Sequence, residues 1–205
     1  MGLRRMTAGW LMVATAMTVM SIAGMAQMGT SGLDKGPAVG TVAEPSRAFD
    51  SQLSLIEGEM MAAVGAMPAD KFDFAPSAAI FVPGQKTKFE TVRSFGQQAT
   101  HVAGANYFFA ASISGKKPDV DMAAIEKLTK KDDIVKALAA SFAYLHKAIG
   151  TLTPANAFVV VKSPEPGFQT RGTMAEFAVA HAYDHYGQLV EYLRMNGLVP
   201  PGSAQ

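Results

Sequence analysis

Four stretches of the chain repeat apolar side chains every three or four residues, and each is bounded by residues that start or stop helices. In the first, Phe49, Leu53, Ile56, Met60, Val64 and Met67 keep this spacing, which predicts a helix from about Ser46 to Met67, ended by Pro68. Its methionine-containing stripe reads as core rather than as a cofactor site. Residues 68 to 88 hold three prolines and no period, so they predict a loop across the end of a bundle. A second helix starts at the Ser94/Gln97 capping box, with Thr87/Glu90 as an earlier alternative, and runs to about Ser114, where Gly115 stops it. On it Gln97, His101, Ala105, Phe108 and Ser112 share one face. His101 therefore stands in an inward row, with Gly104 and Ala105 leaving room beside it.

After the linker KKPDVDMAAIEKL, Thr129 and Asp132 open a third helix, closed by Pro154. Its seam is Ile134, Leu138, Phe142, Leu145, Ile149 and Leu152. His146 lies one residue off that seam and reads as a partly exposed edge residue, outside any site. Residues 153 to 172 contain the run FVVVK and predict a long connection with at most a short extended piece. The fourth stretch is the longest. Thr173 and Glu176 form a capping box, and the helix stops near Asn196-Gly197, ahead of Pro200-Pro201. Met174, Phe177, His181, Gln188, Tyr192 and Met195 fall on one stripe of helical spacing that looks toward the core, His185 lies on the same face one turn after His181, and Glu176, Asp184, Glu191 and Arg194 take a different face. Four amphipathic helices without a convincing set of strands predict an all-α four-helix bundle. Two long connections leave the spatial order of the helices open.

Composition changes this picture at the N-terminus. The 205 residues are 49% hydrophobic and 17% charged, which suits one globular domain with an apolar appendage. Arg4-Arg5, the uncharged run Trp10 to Ala23 and the small-x-small triplet Gly24-Met25-Ala26 read as a secretory signal over residues 1–26. The alternative is an uncleaved membrane anchor over residues 10–28, because no charge falls between Arg5 and Asp34. Residues 27–44 are a Gly-rich tether, and the bundle occupies 45–203. The expected location is therefore periplasmic or extracellular. The net charge of +1 becomes −1 once Arg4 and Arg5 are removed with the signal, so no basic patch is implied and nucleic acid is not an expected partner. With no cysteine in the chain, lipid-modified cysteine, disulfides, thiolate ligands and a thiol nucleophile are all excluded.

Candidate chemistry then falls to the histidines. Two imidazoles four residues apart on one helical face, His181 and His185, can hold one metal ion; the alternative is a pair of core histidines that are simply hydrogen-bonded. Gln188, one turn past His185, is placed to orient bound water or substrate. Asp184 reads as a solvated helix charge in preference to an outer partner of the histidines. Tyr107 and Tyr192 read as packing residues whose hydroxyls reach water.

The phrases SFGQQATHVAGANYFFA and HAYDHYGQLVEYLRMNGLVPP, with KFDFAP after the first helix, resemble the DinB/YfiT-like superfamily over about Ser46 to Ser203. That resemblance implies an antiparallel bundle with two long crossovers, a divalent metal on three histidines, and often a homodimer. The matching positions are His101, His181 and His185. Three neutral imidazoles leave coordination positions open, as in a catalytic metal site, and suit zinc, nickel, iron or manganese. A metal so placed would lower the pKa of bound water and polarise a carbonyl oxygen, supporting hydrolysis or acyl transfer on a small molecule; the resemblance adds a transferase, with a small thiol as co-substrate in some relatives. The IFVPGQKTK segment before helix two departs from the family pattern. A non-catalytic metal-binding module and a purely structural bundle are the competing readings.

Overall fold

Proline fits the first turn of a helix, where its missing N–H is one that has no partner anyway, and Pro45 opens helix α1 (Pro45–Ala66) in that way. The computed structural model describes residues 37–77, 80, 82–85, 91–162 and 169–204. The expected signal segment, and the tether up to residue 36, lie outside the described residues. The chain divides into units 1–41 and 42–205. Of the first, the described part carries a turn in which the Thr41 N–H donates to the Ala38 carbonyl at 3.0 Å.

In the second unit, helix α2 (Phe95–Ser114) starts at the expected capping box. The Gln97 N–H donates to Ser94 Oγ at 3.3 Å, while the Ser94 N–H donates to Gln97 Oε1 at 2.9 Å. It ends at Gly115, whose φ of 72° is left-handed and costs glycine little. A short helix α3 (Met122–Glu126), capped by Asp121, occupies the linker in which no helix was expected. Helix α4 (Lys131–Ile149) follows, then the two-residue antiparallel strands β1 (Val160–Val161) and β2 (Gln169–Thr170), and helix α5 (Arg171–Met195).

Two expected helix starts are corrected. Helix α5 begins ahead of the Thr173/Glu176 box: Thr170 is the cap, and Thr173 plays the reciprocal part in a box with it. Helix α4 begins at Lys131 without a side-chain cap, so Thr129 and Asp132 do not open it. The Lys131 ammonium instead donates to the carbonyls of Gly65 and Met67, both at 2.7 Å, where the C-terminal end of α1 leaves acceptors free. Asp132 and Asp133 then lie in the first turn, complementing the helix dipole. Helix α4 also stops at Ile149, before the expected end near Pro154, though Leu152 remains buried beyond it.

Helices α1 and α2 each pack against both α4 and α5, so the four long helices close around a single core. Every member of the α4 seam from Ile134 to Leu152 is at most 2% exposed. Helix α2 is buried on most of its surface, but not along the row expected to face inward: Gln97 and Phe108 are exposed and His101, Ala105 and Ser112 half-buried, because that row borders a cleft. The α2 run of Gly96, Ala99, Ala103 and Ala110 admits close neighbours, and Asn106 Nδ2 donates to Ser141 Oγ across to α4 at 3.1 Å. On α5 the core face is Met174, Ala178, Ala182, His185, Leu189 and Tyr192, whereas Phe177 and Met195, expected in the core stripe, are 39% and 44% exposed. The Tyr192 hydroxyl, expected to reach water, donates to the Arg93 carbonyl at 3.1 Å. No helix among the described residues is long and apolar enough to cross a membrane.

Between α1 and α4, His146 stands between two carboxylates. Its Nδ1 lies 2.5 Å from Asp50 Oδ1 and its Nε2 lies 2.9 Å from Glu57 Oε2. A neutral ring has one N–H, so only the imidazolium donates to both. The bond to Glu57, against the opposing effect of burial and with help from Asp50, lifts the His146 pKa to about 9. Because this lies above the unfolded value near 6.5, the stabilisation is complete below pH ~6.5 and is lost as pH rises through about 9. Side-chain exposures of 24% for His146, 44% for Asp50 and 31% for Glu57 let solvent screen the cluster. The contribution is thereby held to about 1–2 kcal/mol. His146→Gln is expected to flatten the fall in melting temperature across that pH window; an unchanged slope would contradict the clamp.

Candidate metal centre

Helical spacing puts His101 one turn after Gln98 on α2, and puts His181, His185 and Gln188 on one side of α5, with the exposed Asp184 at the edge of that side. Because α2 packs on α5, the two sets meet. His181 Nε2 is 3.2 Å from His101 Nε2 and 3.2 Å from His185 Nε2, and one ligand atom from each ring falls within 4.8 Å of the others. Donors about 2.0–2.1 Å from a tetrahedral ion sit about 3.3 Å apart, which the two 3.2 Å separations from His181 match. Burial lowers the pKa of all three. His181 and His185 fall to about 4, where the neighbouring imidazoles add to the effect of burial. For His101, Arg93 acts in the same direction and Glu126 against it. The rings are therefore neutral at pH 7, as ligands must be.

The orientation of His185 is set by a chain of amides. Asp184 can only accept, so Gln188 turns its NH₂ to Asp184 Oδ2 at 3.2 Å, leaving Gln188 Oε1 to accept from Gln98 Nε2 at 2.7 Å. Gln98 must then face His185 with its oxygen, which lies 2.5 Å from Nδ1. Nδ1 carries the proton, and the Nε2 lone pair points at the other two rings. His181 Nε2 faces two imidazole nitrogens at 3.2 Å, but a neutral ring nitrogen has one in-plane site and can make only one of those hydrogen bonds, so convergence of lone pairs on a cation fits the donor set better; His181 Nδ1 is buried with no partner among the described residues.

His101, His181 and His185 are brought together. Gln188 is engaged at both amide atoms, between Gln98 and Asp184. Asp184 is exposed, yet it anchors that chain. His146 belongs to the separate clamp, and Tyr107 packs on Tyr144 with ring centroids 5.2 Å apart. Gln98, only 3% exposed, went unnoticed in the sequence. Its signal was available: a polar residue three before His101, between the apolar Phe95 and Val102, has to be buried with a partner. Beside the histidines a cleft of about 340 Å³ opens between α2, α3 and α5, lined by His101, His181, Phe108, Phe177, Met122 and Glu126 among others.

Fold and site together define a helical protein with three histidines, from two facing helices, positioned to hold a metal ion. The family model of the DinB superfamily matches residues 52–189, a span that includes all three histidines, and the chain belongs to that superfamily. Among solved structures, it is similar to a DinB-like protein from Bacillus cereus ATCC 10987. That pair has a TM-score of 0.62 and 13% identity, over 77% of this chain and 97% of the other. It is also similar to the DinB-like protein YjoA from Bacillus subtilis, with a TM-score of 0.55 and 16% identity over 73% and 92% of the two chains. At these identities the likeness shows the fold. No curated protein matches the chain in sequence.

Proposed function

We propose that the protein is an exported, metal-dependent enzyme that hydrolyses a small molecule or transfers a group from it, with a small thiol as one acceptor class. One observation carries the reading: three imidazoles converge beside an open cleft, the Nε2 atoms of His101 and His185 each 3.2 Å from that of His181, and no fourth protein ligand closes the set among the described residues. A structural zinc site would take four protein ligands. A bound divalent ion would supply a Lewis acid for a carbonyl oxygen and a nucleophile at neutral pH. The chain's own part is to hold His185 in one tautomer through Gln98, Gln188 and Asp184, and to wall the cleft with apolar side chains that displace water. Export is supported by the basic start, apolar run and small-x-small triplet of residues 1–26, and a homodimeric state by the family resemblance.

The test is metal analysis after chelator-free purification, followed by turnover assays over esters, amides and thiol acceptors. The expected result is about one metal per chain, with turnover lost in His101→Ala and His181→Ala while the circular dichroism spectrum is kept. Metal held tightly without turnover would make the protein a binding module. Absence of metal would leave a structural bundle.

A further inference from the structure

Phe108, Phe109 and Phe177 form a run of edge-to-face rings that ends on His181. Centroids lie 5.5 Å apart from Phe108 to Phe109, 5.3 Å from Phe109 to Phe177, and 5.5 Å from Phe109 to His181. Phe109 is buried, but Phe108 and Phe177 are 37% and 39% exposed and line the cleft beside the histidines. Helix α3 supplies a further wall. Met122 and Glu126, four residues apart and so on one face of that short helix, line the cleft, while Ile125 and the following Leu128 pack on the core and fix α3 in place. Gly104 leaves space beside His101, since a Cβ there would meet no heavy atom within 4 Å. The volume of about 340 Å³ lies within the range of small-molecule sites.

Two features narrow the occupant. A flat apolar group against Phe108 and Phe177 removes apolar surface from water on both sides and extends the run of ring contacts. Glu126 is the one charged side chain on the lining, and it makes no hydrogen bond or ion pair among the described residues. A second carboxylate brought against it would meet like charge. Resting on the metal-centred reading, we propose that the substrate carries an uncharged aryl group next to its metal-binding carbonyl. Phe108 and Phe177 are the platform for that ring, and Met122 and Glu126 on α3 form the wall that sets specificity.

Hydroxamates test this, because the same metal-binding head can carry different tails. The zinc-loaded protein is titrated calorimetrically with acetohydroxamic acid, phenylacetohydroxamic acid and the 4-carboxy derivative of the latter. The phenyl compound is expected to bind roughly ten- to thirtyfold tighter than the methyl one, from the apolar area it buries. The added carboxylate should cancel most of that gain, and Glu126→Gln should restore it. Gly104→Leu puts a side chain into the cleft while keeping all three histidines; it should reduce the phenyl advantage below about threefold at unchanged zinc content, and Phe177→Ala should do the same by removing the platform. If methyl and phenyl compounds bind alike, or if the phenyl advantage survives Gly104→Leu, the aryl assignment is overturned and the metal centre stands. If the protein holds no zinc, or no hydroxamate binds to the zinc form, the metal-centred reading fails and takes the aryl assignment with it.

Discussion

His185→Ala is expected to weaken zinc binding by roughly a hundredfold or more, and to abolish the rise in melting temperature that zinc gives the wild-type protein. Structural zinc sites bind with about 10–16 kcal/mol shared over four ligands, so one ligand is worth about 3 kcal/mol, or roughly two orders of magnitude in Kd. His185 is the ligand for which the loss should be cleanest. It is 5% exposed, its tautomer is fixed by Gln98, and its Nε2 lies 3.2 Å from that of His181. No other histidine can replace it, because His146 is held by Asp50 and Glu57 on the α1–α4 interface. Competition against a chromophoric chelator gives the affinity. A thermal scan with and without zinc gives the linked stability, which at zinc concentrations a thousandfold above Kd amounts to about 4 kcal/mol for the wild type. His146→Ala is the matched control and should keep its zinc. Equal affinity in His185→Ala and wild type would mean that the ion, if bound, sits elsewhere.

What could be read from the sequence is what depends on neighbours within a few turns. The α4 seam repeats every three or four residues, and each of its members from Ile134 to Leu152 is buried, because the period of a helix fixes which side chains face inward. The Ser94/Gln97 box and the Gly115 stop are also local, and both appear as expected. The pairing of His181 with His185 needs one helix; their meeting with His101 needs α2 to lie on α5, which helical spacing alone does not dictate and the family resemblance supplied. Contacts across long separations stayed hidden. The start of α4 moved because Lys131 reaches carbonyls more than sixty residues earlier in the chain. His146 finds its carboxylates 96 and 89 residues away, which no spacing rule connects. Helix α3 is five residues long, too short for a period to show. Phe177 was placed in the core because its stripe is apolar, yet a cleft beside the histidines opens onto that part of the stripe. Here the local rule gives way where a site interrupts the packing.

Gln98 is where a substitution should separate metal affinity from fold. In Gln98→Leu a buried amide becomes a buried apolar side chain of similar size, so packing is largely kept, but His185 Nδ1–H loses its acceptor and Gln188 loses its donor. Outer partners of metal-bound histidines are worth ten- to a hundredfold in affinity, and zinc binding is expected to weaken by roughly that factor. The unpaired Nδ1–H also costs the metal-free protein about 1–3 kcal/mol. A second readout needs no metal: nitrogen chemical shifts of the His185 ring should show the Nδ1–H tautomer in the wild type and a mixture in Gln98→Leu. In Gln98→Glu an acceptor is kept at Nδ1, so His185 should retain its tautomer and most of its zinc affinity, at the expense of the Gln188–Asp184 arm, since Gln188 must now turn its NH₂ to the new carboxylate and present its oxygen to Asp184. If Gln98→Leu binds zinc as well as the wild type and leaves the tautomer unchanged, the amide chain from Asp184 does not orient the ring. His185 would then be held by packing alone.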